Sequence, residues 1–406
     1  MPSSPLEDRL GLRWPLLQAP MAGAQASAMA LAVSGAGALG ALPCAMLAPD
    51  ALRRELAVMA ASGLPYNVNW FCHTPPVPDA AREAAWRAAL KPYFDEFGLD
   101  IDAVPTGPGR APFSADAAEL MAEFKPPVVS FHYGLPAPAL LARVKSWGAF
   151  VLSSATTVRE ALWLEEHGAD AIIAQGLEAG GHRGHFLPTG RPEAKTAPSG
   201  GSAPREAGER GGHFLPTGRP EAKTAPSGGS APREAGERGG HFLSDDLSEQ
   251  MGTFALLPQV VAAVRVPVIA AGGIASAAGV RAARALGAQG VQVGTAYLCA
   301  DEALTTPAHR AALQSEAARH TVITNLVTGR PARGIVNRVM RELGPMSRAP
   351  SAFPLATAAM AYLRAQAEKQ GRLDFTHFWS GQNASGCLSA PAADITRELA
   401  RGFESG

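Results

Sequence analysis

Residues 171–186 read AIIAQGLEAGGHRGHF. The apolar run 171–174 is too short for a helix and is bounded by turn signals, so it reads as a fully buried strand. The next residues are polar and rich in glycine: Gln175, Gly176, Glu178, Gly180, Gly181 and His182. The stretch before the strand, residues 157–167, has helical spacing, opens on a hydroxyl that can cap a helix and stops at Gly168. A helix, a short buried strand and then a glycine-rich turn loaded with polar groups is one unit of a strand–helix alternation.

The same unit recurs outward in both directions. Short apolar runs stand at 16–19, 38–42, 66–69, 128–131, 150–153, 171–174, 268–271 and 290–293. Helical stretches fill the gaps, among them 50–61, with Leu52, Leu56 and Met59 at helical spacing, and 276–286, which stops at Gly287. Eight such alternations predict an α/β chain folded as a closed parallel (β/α)8 barrel, the TIM-barrel architecture, over residues 1–300. Beyond Thr295 the pattern changes. Residues 307–320 and 356–370 read as helices with no strands between them, which predicts a mainly helical C-terminal region, 301–406, packed near the barrel mouth.

One segment stands outside this pattern. Residues 185–212 read HFLPTGRPEAKTAPSGGSAPREAGERGG, residues 213–240 repeat them without a change, and a third HFL begins at His241. Each unit holds four Pro, six Gly and one aromatic residue. That composition cannot bury enough apolar surface to offset its ordering entropy, and two copies are fewer than a solenoid needs. The expectation is a disordered, duplicated insertion, 185–240, within the barrel.

Composition bounds the function. Of 406 residues, 36 are Lys or Arg and 36 are Asp or Glu, so the formal net charge is zero and there is no electrostatic footprint for nucleic acid. Four cysteines lie far apart with no C-x-x-C pair, which argues against a disulfide scaffold or a Cys-based metal site and for reduced thiols in the cytoplasm. The N-terminus carries acids and prolines where a secretory signal would need a basic and then an apolar stretch. Residues 14–49 carry no charge, but they are rich in Ala and Gly and broken by Pro15, Pro20 and Pro43, unlike a membrane span. A GxGxxG pattern at Gly35–Gly40 sits between a helical stretch and a strand, the reverse of a dinucleotide fingerprint. The motifs H-E-x-x-H, G-x-S-x-G and G-x-x-x-x-G-K-[ST] are absent.

In a barrel of this kind chemistry collects at the C-terminal ends of the strands. Here those ends carry Met21, Asn69, His132, Gln175, the 180–184 turn, Gly272-Gly273 and the run Gln292, Val293, Gly294, Thr295. Two readings of the glycines stand: tight turns, or a phosphate site in which bare backbone N–H groups and the helix start at Ser276 receive an anion. Asn69 and Gln175 offer both donor and acceptor, suited to the edge of a flat heterocycle or to structural bonding.

Together the phrases QAPMAG (18–23), NVNW (67–70), FHYG (131–134), AQGLEAGGHRG (174–184), AAGGI (270–274), QVGT (292–295), GRPARGIVNRVMRE (329–342) and FWSGQ (378–382) resemble the nitronate monooxygenases, formerly the 2-nitropropane dioxygenases. The resemblance runs in family order across nearly the whole chain outside the insertion. It implies an FMN-dependent enzyme that oxidises alkyl nitronates, such as propionate 3-nitronate, with O2 to a carbonyl compound and nitrite. It also implies an FMN-contacting set of Met21, Asn69, Gln175, Gly180, Gly181, Gly272, Gly273, Gln292, Val293, Gly294 and Thr295. His182 resembles the active-site histidine and His132 a second histidine near the flavin. The partners implied are a small nitronate and O2, with neither nucleic acid nor membrane. Related barrels raise an alternative, an FMN-dependent NAD(P)H reductase of quinones or enoyl thioesters. A flavin-binding protein without turnover is a third possibility if the insertion spoils the site. His213 and His241 imitate the Gly-Gly-His setting, but only His182 keeps its seven-residue tether to Gln175.

Overall fold

The computed structural model describes residues 5–105, 110–188 and 246–404. Eight parallel strands form one sheet: β1 (Leu16–Gln18), β2 (Gly40–Pro43), β3 (Tyr66–Phe71), β4 (Val128–His132), β5 (Phe150–Ala155), β6 (Ala171–Gln175), β8 (Val268–Ala271) and β9 (Gly290–Val293). β7 (Gly181–His182), between β6 and β8 in sequence, lies outside that sheet. The order around the sheet is β1-β9-β8-β6-β5-β4-β3-β2. The two ends meet at a Leu17–Leu39 bridge, where Gln18 N donates to Leu39 O and Leu39 N donates to Leu16 O, each at 2.9 Å. This is a TIM barrel. All eight expected strands are present, and each end lies within about two residues of its expected place, the usual error of boundary reading.

The barrel is built on the two-residue period of a strand. Along β6, Ile172 and Ala174 face the helices and pack with Leu256, Leu257 and Val260 of helix Thr253–Ala263. Ala171 and Ile173 face inward and pack with Leu17, Leu39, Leu152 and Ile269. Leu6 and Leu12 join this inner cluster, so the N-terminal helix Pro5–Leu10 plugs the end of the barrel opposite the polar strand ends. The helix caps read from sequence form as expected. Thr157 accepts from Glu160 N, Ser276 accepts from Gly279 N, and Gly168 (φ +96°) and Gly287 (φ +98°) end their helices in the left-handed region. The Gly35–Gly40 stretch lies between helix Ser27–Gly35 and β2, where a Cβ on Gly40 would collide with the Ala30 carbonyl.

Two expectations are corrected. Strands do lie between the C-terminal helices: β10 (Thr321–Thr324) and β11 (Ala332–Ile335) pair antiparallel, and β11 pairs in turn with β7. The β-branched run TVIT and the turn Thr-Gly-Arg-Pro before ARGI supply a hairpin that helical spacing does not reveal. The second correction is at the start of the repeat. His185 is buried, Phe186 packs on Trp163 with ring centroids 5.2 Å apart, and Glu160 Oε1 accepts from Phe186 N at 2.6 Å and Leu187 N at 3.2 Å. The rest of the expected insertion lies outside the described residues. Residues 5–105, 110–188 and 246–404 belong to one compact unit. Among the described residues no helix is long and apolar enough to cross a membrane.

Candidate active site

The segment after β6 is fixed by buried charge. Arg183 has no exposed surface, and its guanidinium donates to Gln250 Oε1 (2.7 Å), Gly176 O (2.6 Å) and Gln175 O (2.8 Å). Burial, then the nearby Arg333, lower its pKa to about 9, and it stays charged at neutral pH. Gln175 clasps the same segment from inside: its Nε2 donates to His182 O at 3.0 Å, and its Oε1 accepts from Gly184 N at 2.8 Å. Glu178 turns outward and accepts from Thr253 N and Oγ1 at 2.8 to 3.0 Å, at the start of helix Thr253–Ala263. β7 then seats His182 opposite Ala332 of β11. The Gln-x-x-Glu-x-Gly-Gly-His-Arg phrase is thus mostly a bracket that presents one imidazole.

That imidazole sits in a ring of aromatic and cationic groups. Its centroid lies 5.5 Å from Phe353, 5.8 Å from Trp379, 6.2 Å from Phe71 and 6.4 Å from Tyr133. Nε2 is 3.0 Å from Thr328 Oγ1 and 3.5 Å from Arg110 Nη1. Burial, then Arg110, His132 and Arg330, hold the His182 pKa well below its ordinary value, so the ring is neutral. A neutral ring carries one donor and one acceptor nitrogen. Its neighbours are held neutral too, each by burial first: His132 at about 3, His73 at about 4 and His377 at about 3.

His132 stands close to His182 but is occupied. Its Nδ1 is 2.6 Å from Ser154 Oγ, and its Nε2 is 3.3 Å from the His182 carbonyl. Because a carbonyl only accepts, Nε2 carries the proton and Nδ1 accepts from the serine. Both ring nitrogens are therefore spent on placing the segment. This differs from the catalytic role expected of His132 and suits a positioning residue.

The glycines gather on another side of the mouth. Gly272 (φ +118°) and Gly273 (φ +73°) follow β8 and lead to helix Ala277–Ala285. A Cβ on Gly272 would lie 2.8 Å from Thr253 Oγ1 and 3.1 Å from Ala179 N, so the close approach of three segments depends on its absence. Gly294 and Thr295 follow β9, and a Cβ on Gly294 would touch Met21 Sδ at 3.7 Å. Met21 N donates to Gln25 Oε1 at 3.1 Å, which fixes the turn after β1. Residues 380–383 cross this region: Gly381 N donates to Thr295 Oγ1 (2.9 Å), Gln382 N to Glu178 O (2.9 Å) and Asn383 Nδ2 to Gly273 O (3.0 Å).

Not every expected contact residue is free for a ligand. Gly180 is a packing glycine, because a Cβ there would lie 2.5 Å from Gly381 N. Gly181 (φ +68°) pairs with Arg333 in β7, and a Cβ there would meet open space. The Val293 side chain is buried in the core, and its carbonyl accepts from Ala19 N at 2.8 Å. Asn69 Nδ2 donates to Ser130 O (3.2 Å) and Oγ (2.9 Å). Gln292 Oε1, by contrast, is a buried acceptor with no partner among the described residues.

Sequence reading missed the cations and the ring they stand in. Arg110 is half-buried against Phe71, 6.0 Å from its centroid, and no carboxylate pairs with it among the described residues. The Arg330 guanidinium lies 3.7 Å over the Tyr133 ring and also donates to His185 O. Tyr133 has φ +72°, a costly conformation for a bulky residue, and its buried hydroxyl has no partner among the described residues. The signal was faint: Tyr133 lies in FHYG and Arg330 in GRPARG, and nothing local marks Arg110.

The nitronate monooxygenase family model matches residues 3–199 and 233–402 of the chain. A nitronate monooxygenase of Paraburkholderia phytofirmans is 36% identical over 402 residues, covering 97% of this chain and 93% of that one. One of Pseudomonas aeruginosa is 35% identical, covering 96% of each. Among solved structures, a nitroalkane oxidase from Streptomyces ansochromogenes superposes with a TM-score of 0.76 at 30% identity over 98% of each chain.

Proposed function

Since the chain belongs to the nitronate monooxygenase family, an oxidoreductase family that depends on flavin, we propose that it holds FMN at the barrel mouth and oxidises alkyl nitronates with O2 to a carbonyl compound and nitrite. Two features fit the flavin. The positive-φ pair Gly272-Gly273 leaves backbone bare beside a capped helix start, and with Gly294 and Thr295 it suits one terminal phosphate. The unpartnered Gln292 Oε1, at the mouth end of β9, awaits a donor that a flavin ring supplies. Met21 would complete the cradle, with Asn69 offering only its Oδ1, since its Nδ2 donates to Ser130. When bound, the flavin takes electrons from the nitronate carbon and O2 serves as the oxidant.

The chain's own groups then handle the substrate's charge. Arg110, a half-buried cation with no carboxylate partner among the described residues and beside a neutral histidine, carries this reading. It provides a fixed positive charge for a nitronate, in surroundings dry enough for that charge to count. The Tyr133 hydroxyl, its pKa pushed up to about 12 by burial, stays protonated as a further donor. His182, neutral, donates to a preformed nitronate or takes the α-proton of a neutral nitroalkane. His132 positions the His182 backbone.

The test is oxygen uptake with matched nitrite release on propionate 3-nitronate and simple alkyl nitronates, together with the mass of the yellow cofactor set free by denaturation. Rapid anaerobic bleaching by NADH or NADPH without nitronate turnover would move the protein to the reductase class, and a released FAD would overturn the cofactor.

A further inference from the structure

The His182 imidazole is tethered at one nitrogen only. Its Nε2 lies 3.0 Å from Thr328 Oγ1 and 3.5 Å from Arg110 Nη1, while Nδ1 makes no hydrogen bond among the described residues. Thr328 is itself well fixed. It is buried in the turn between β10 and β11, and β11 pairs with β7, the strand that carries His182. The next residue, Gly329 (φ +83°), packs so closely on Ser351 O that a Cβ would collide there. Thr328 Oγ1 also lies 3.3 Å from the Arg330 carbonyl oxygen. A threonine hydroxyl has one hydrogen and two lone pairs, so it can donate to Nε2 or to Arg330 O but not to both at once.

From this arrangement we propose that Thr328 is a positioning residue: by turning one hydrogen it decides whether Nδ1 of His182 donates a proton or accepts one. The proposal rests on the nitronate reading of the site. With the hydrogen toward Nε2, that nitrogen accepts, and the proton of the neutral ring sits on Nδ1, which donates to a preformed nitronate. With the hydrogen toward Arg330 O, the threonine oxygen accepts from Nε2–H, and Nδ1 presents its lone pair to a neutral nitroalkane. The α C–H bond then breaks, its electron pair passes into the nitro group to leave the nitronate, and an N–H bond forms at Nδ1. The imidazolium so made needs an acceptor at Nε2, because the Arg110 cation 3.5 Å away opposes charge there. Thr328 Oγ1 supplies that acceptor. The two roles of His182 thus call for a hydroxyl at this position, and a methyl group of similar shape cannot serve the second.

The experiment compares Thr328→Val, which removes the hydroxyl and keeps the shape, with Thr328→Ser, which keeps the hydroxyl. Using the full chain with its native cofactor, kcat/KM is measured for a neutral nitroalkane and for its preformed nitronate. On the nitroalkane the valine variant should lose at least about 10-fold, the worth of a hydrogen bond to a charged group. On the nitronate it should lose less, mainly in KM, and the serine variant should recover most of the nitroalkane rate. A second readout needs no turnover: nitrogen NMR of isotope-labelled histidine, with the His182 signals assigned by their loss in His182→Ala. The wild type and the serine variant should show a mixture of the two tautomers, and the valine variant Nδ1–H alone. Equal losses on the two substrates, or the same tautomers in wild type and valine variant, would overturn the proposal. So would a wild type that oxidises nitronates but no nitroalkane. A wild type that turns over neither, with tautomers that shift as stated, would count against the nitronate reading while supporting the control of the ring by Thr328.

Discussion

On the histidine side of the barrel mouth, the proposed function rests on side chains; on the glycine side, on their absence. His182, Arg110, Arg330 and Tyr133 are large groups drawn from distant segments, Arg330 and Tyr133 buried and His182 and Arg110 half-buried, the histidine held neutral. Around Gly272 the backbone of neighbouring segments closes to distances that a Cβ would disturb, while Gly273 (φ +73°) and Gly294 keep bare backbone against the side chains of Glu178, Ala19 and Met21. The first region fails when a group is removed and the second when one is added. Removal on the histidine side should affect turnover and spare cofactor content; addition on the glycine side should do the reverse.

The largest expected effect is His182→Ala. The segment bearing it is held by Arg183 and Gln175, which the substitution leaves intact, so cofactor content should stay at the wild-type level. With a neutral nitroalkane, kcat/KM should fall about 10² to 10⁴-fold, the usual loss of a positioned general base. With a preformed nitronate the proton step is gone, and a smaller defect should appear mainly in KM. Equal defects on both substrates would mean that His182 serves anion binding alone. Unchanged kinetics on both would remove it from the site.

Acid should act next, again through the histidine side. The His132 pKa is held at about 3 in the fold, by burial first and Arg330 second, against about 6.5 in an unfolded chain. Above pH 6.5 neither state is protonated and nothing is lost. As pH falls below 6.5 the unfolded chain takes up the proton first, so stability declines down to the folded value. At ~1.4 kcal/mol per pH unit this histidine alone costs about 2 kcal/mol by pH 5, with His182 and His377 acting in the same direction. Thermal midpoints should drop between pH 6.5 and 5, and less steeply in His132→Asn. A flat profile over that range would show that these rings are not buried in neutral form.

The glycine side is probed by contrast within it. Gly272→Ala must place a Cβ at φ +118°, within 2.8 Å of Thr253 Oγ1. The left-handed conformation alone costs roughly 1–2 kcal/mol, and cofactor affinity should weaken on the order of 10-fold. Gly181→Ala carries a comparable φ of +68° but faces open space, so it should keep its cofactor. Loss of cofactor in both, or in neither, would break the contrast.

The barrel was legible because each strand–helix unit is written in contiguous residues, and its caps at Thr157 and Ser276 are local chemistry. The glycine side was half legible for the same reason, since Gly272-Gly273 and Gly294-Thr295 each come directly after a strand. What the turns could not reveal was that Gly180 serves packing against Gly381, a contact that crosses most of the C-terminal region. On the histidine side the sequence singles out His182, the proposed catalytic group, but not the residues that the fold gathers around it. Arg110 stands 72 residues before that histidine and Thr328 stands 146 residues after it, and no periodicity links them. A strand-end histidine such as His132 looks the same in sequence whether it works on substrate or on backbone; its bonds to Ser154 and the His182 carbonyl favour the second.

The smallest expected effect comes from the repeat, and a pair of deletions makes it informative. Residues 185–187 are seated against the barrel: Glu160 accepts from Phe186 N and Leu187 N, and Arg330 donates to His185 O. Removing 185–240 takes these residues away but joins Gly184 to His241-Phe242-Leu243, the same three residues at the same offset from His182. The seat is refilled, and loop-closure entropy changes only slowly with length, so stability should move by no more than about 1 kcal/mol with cofactor retained. Removing 185–243 differs by only three residues, yet it leaves the buried Glu160 without those two donors and a void where Phe186 packs on Trp163 and beside Gly134. Losing a fully buried phenylalanine typically costs about 3–5 kcal/mol; Phe186 is partly buried, so this second deletion should cost less than that yet still lower the thermal midpoint beyond the first. Equal midpoints for the two would mean that the HFL seat contributes nothing. A large loss in the first would mean that the third copy of the motif cannot replace the first, and that the repeat is part of the fold.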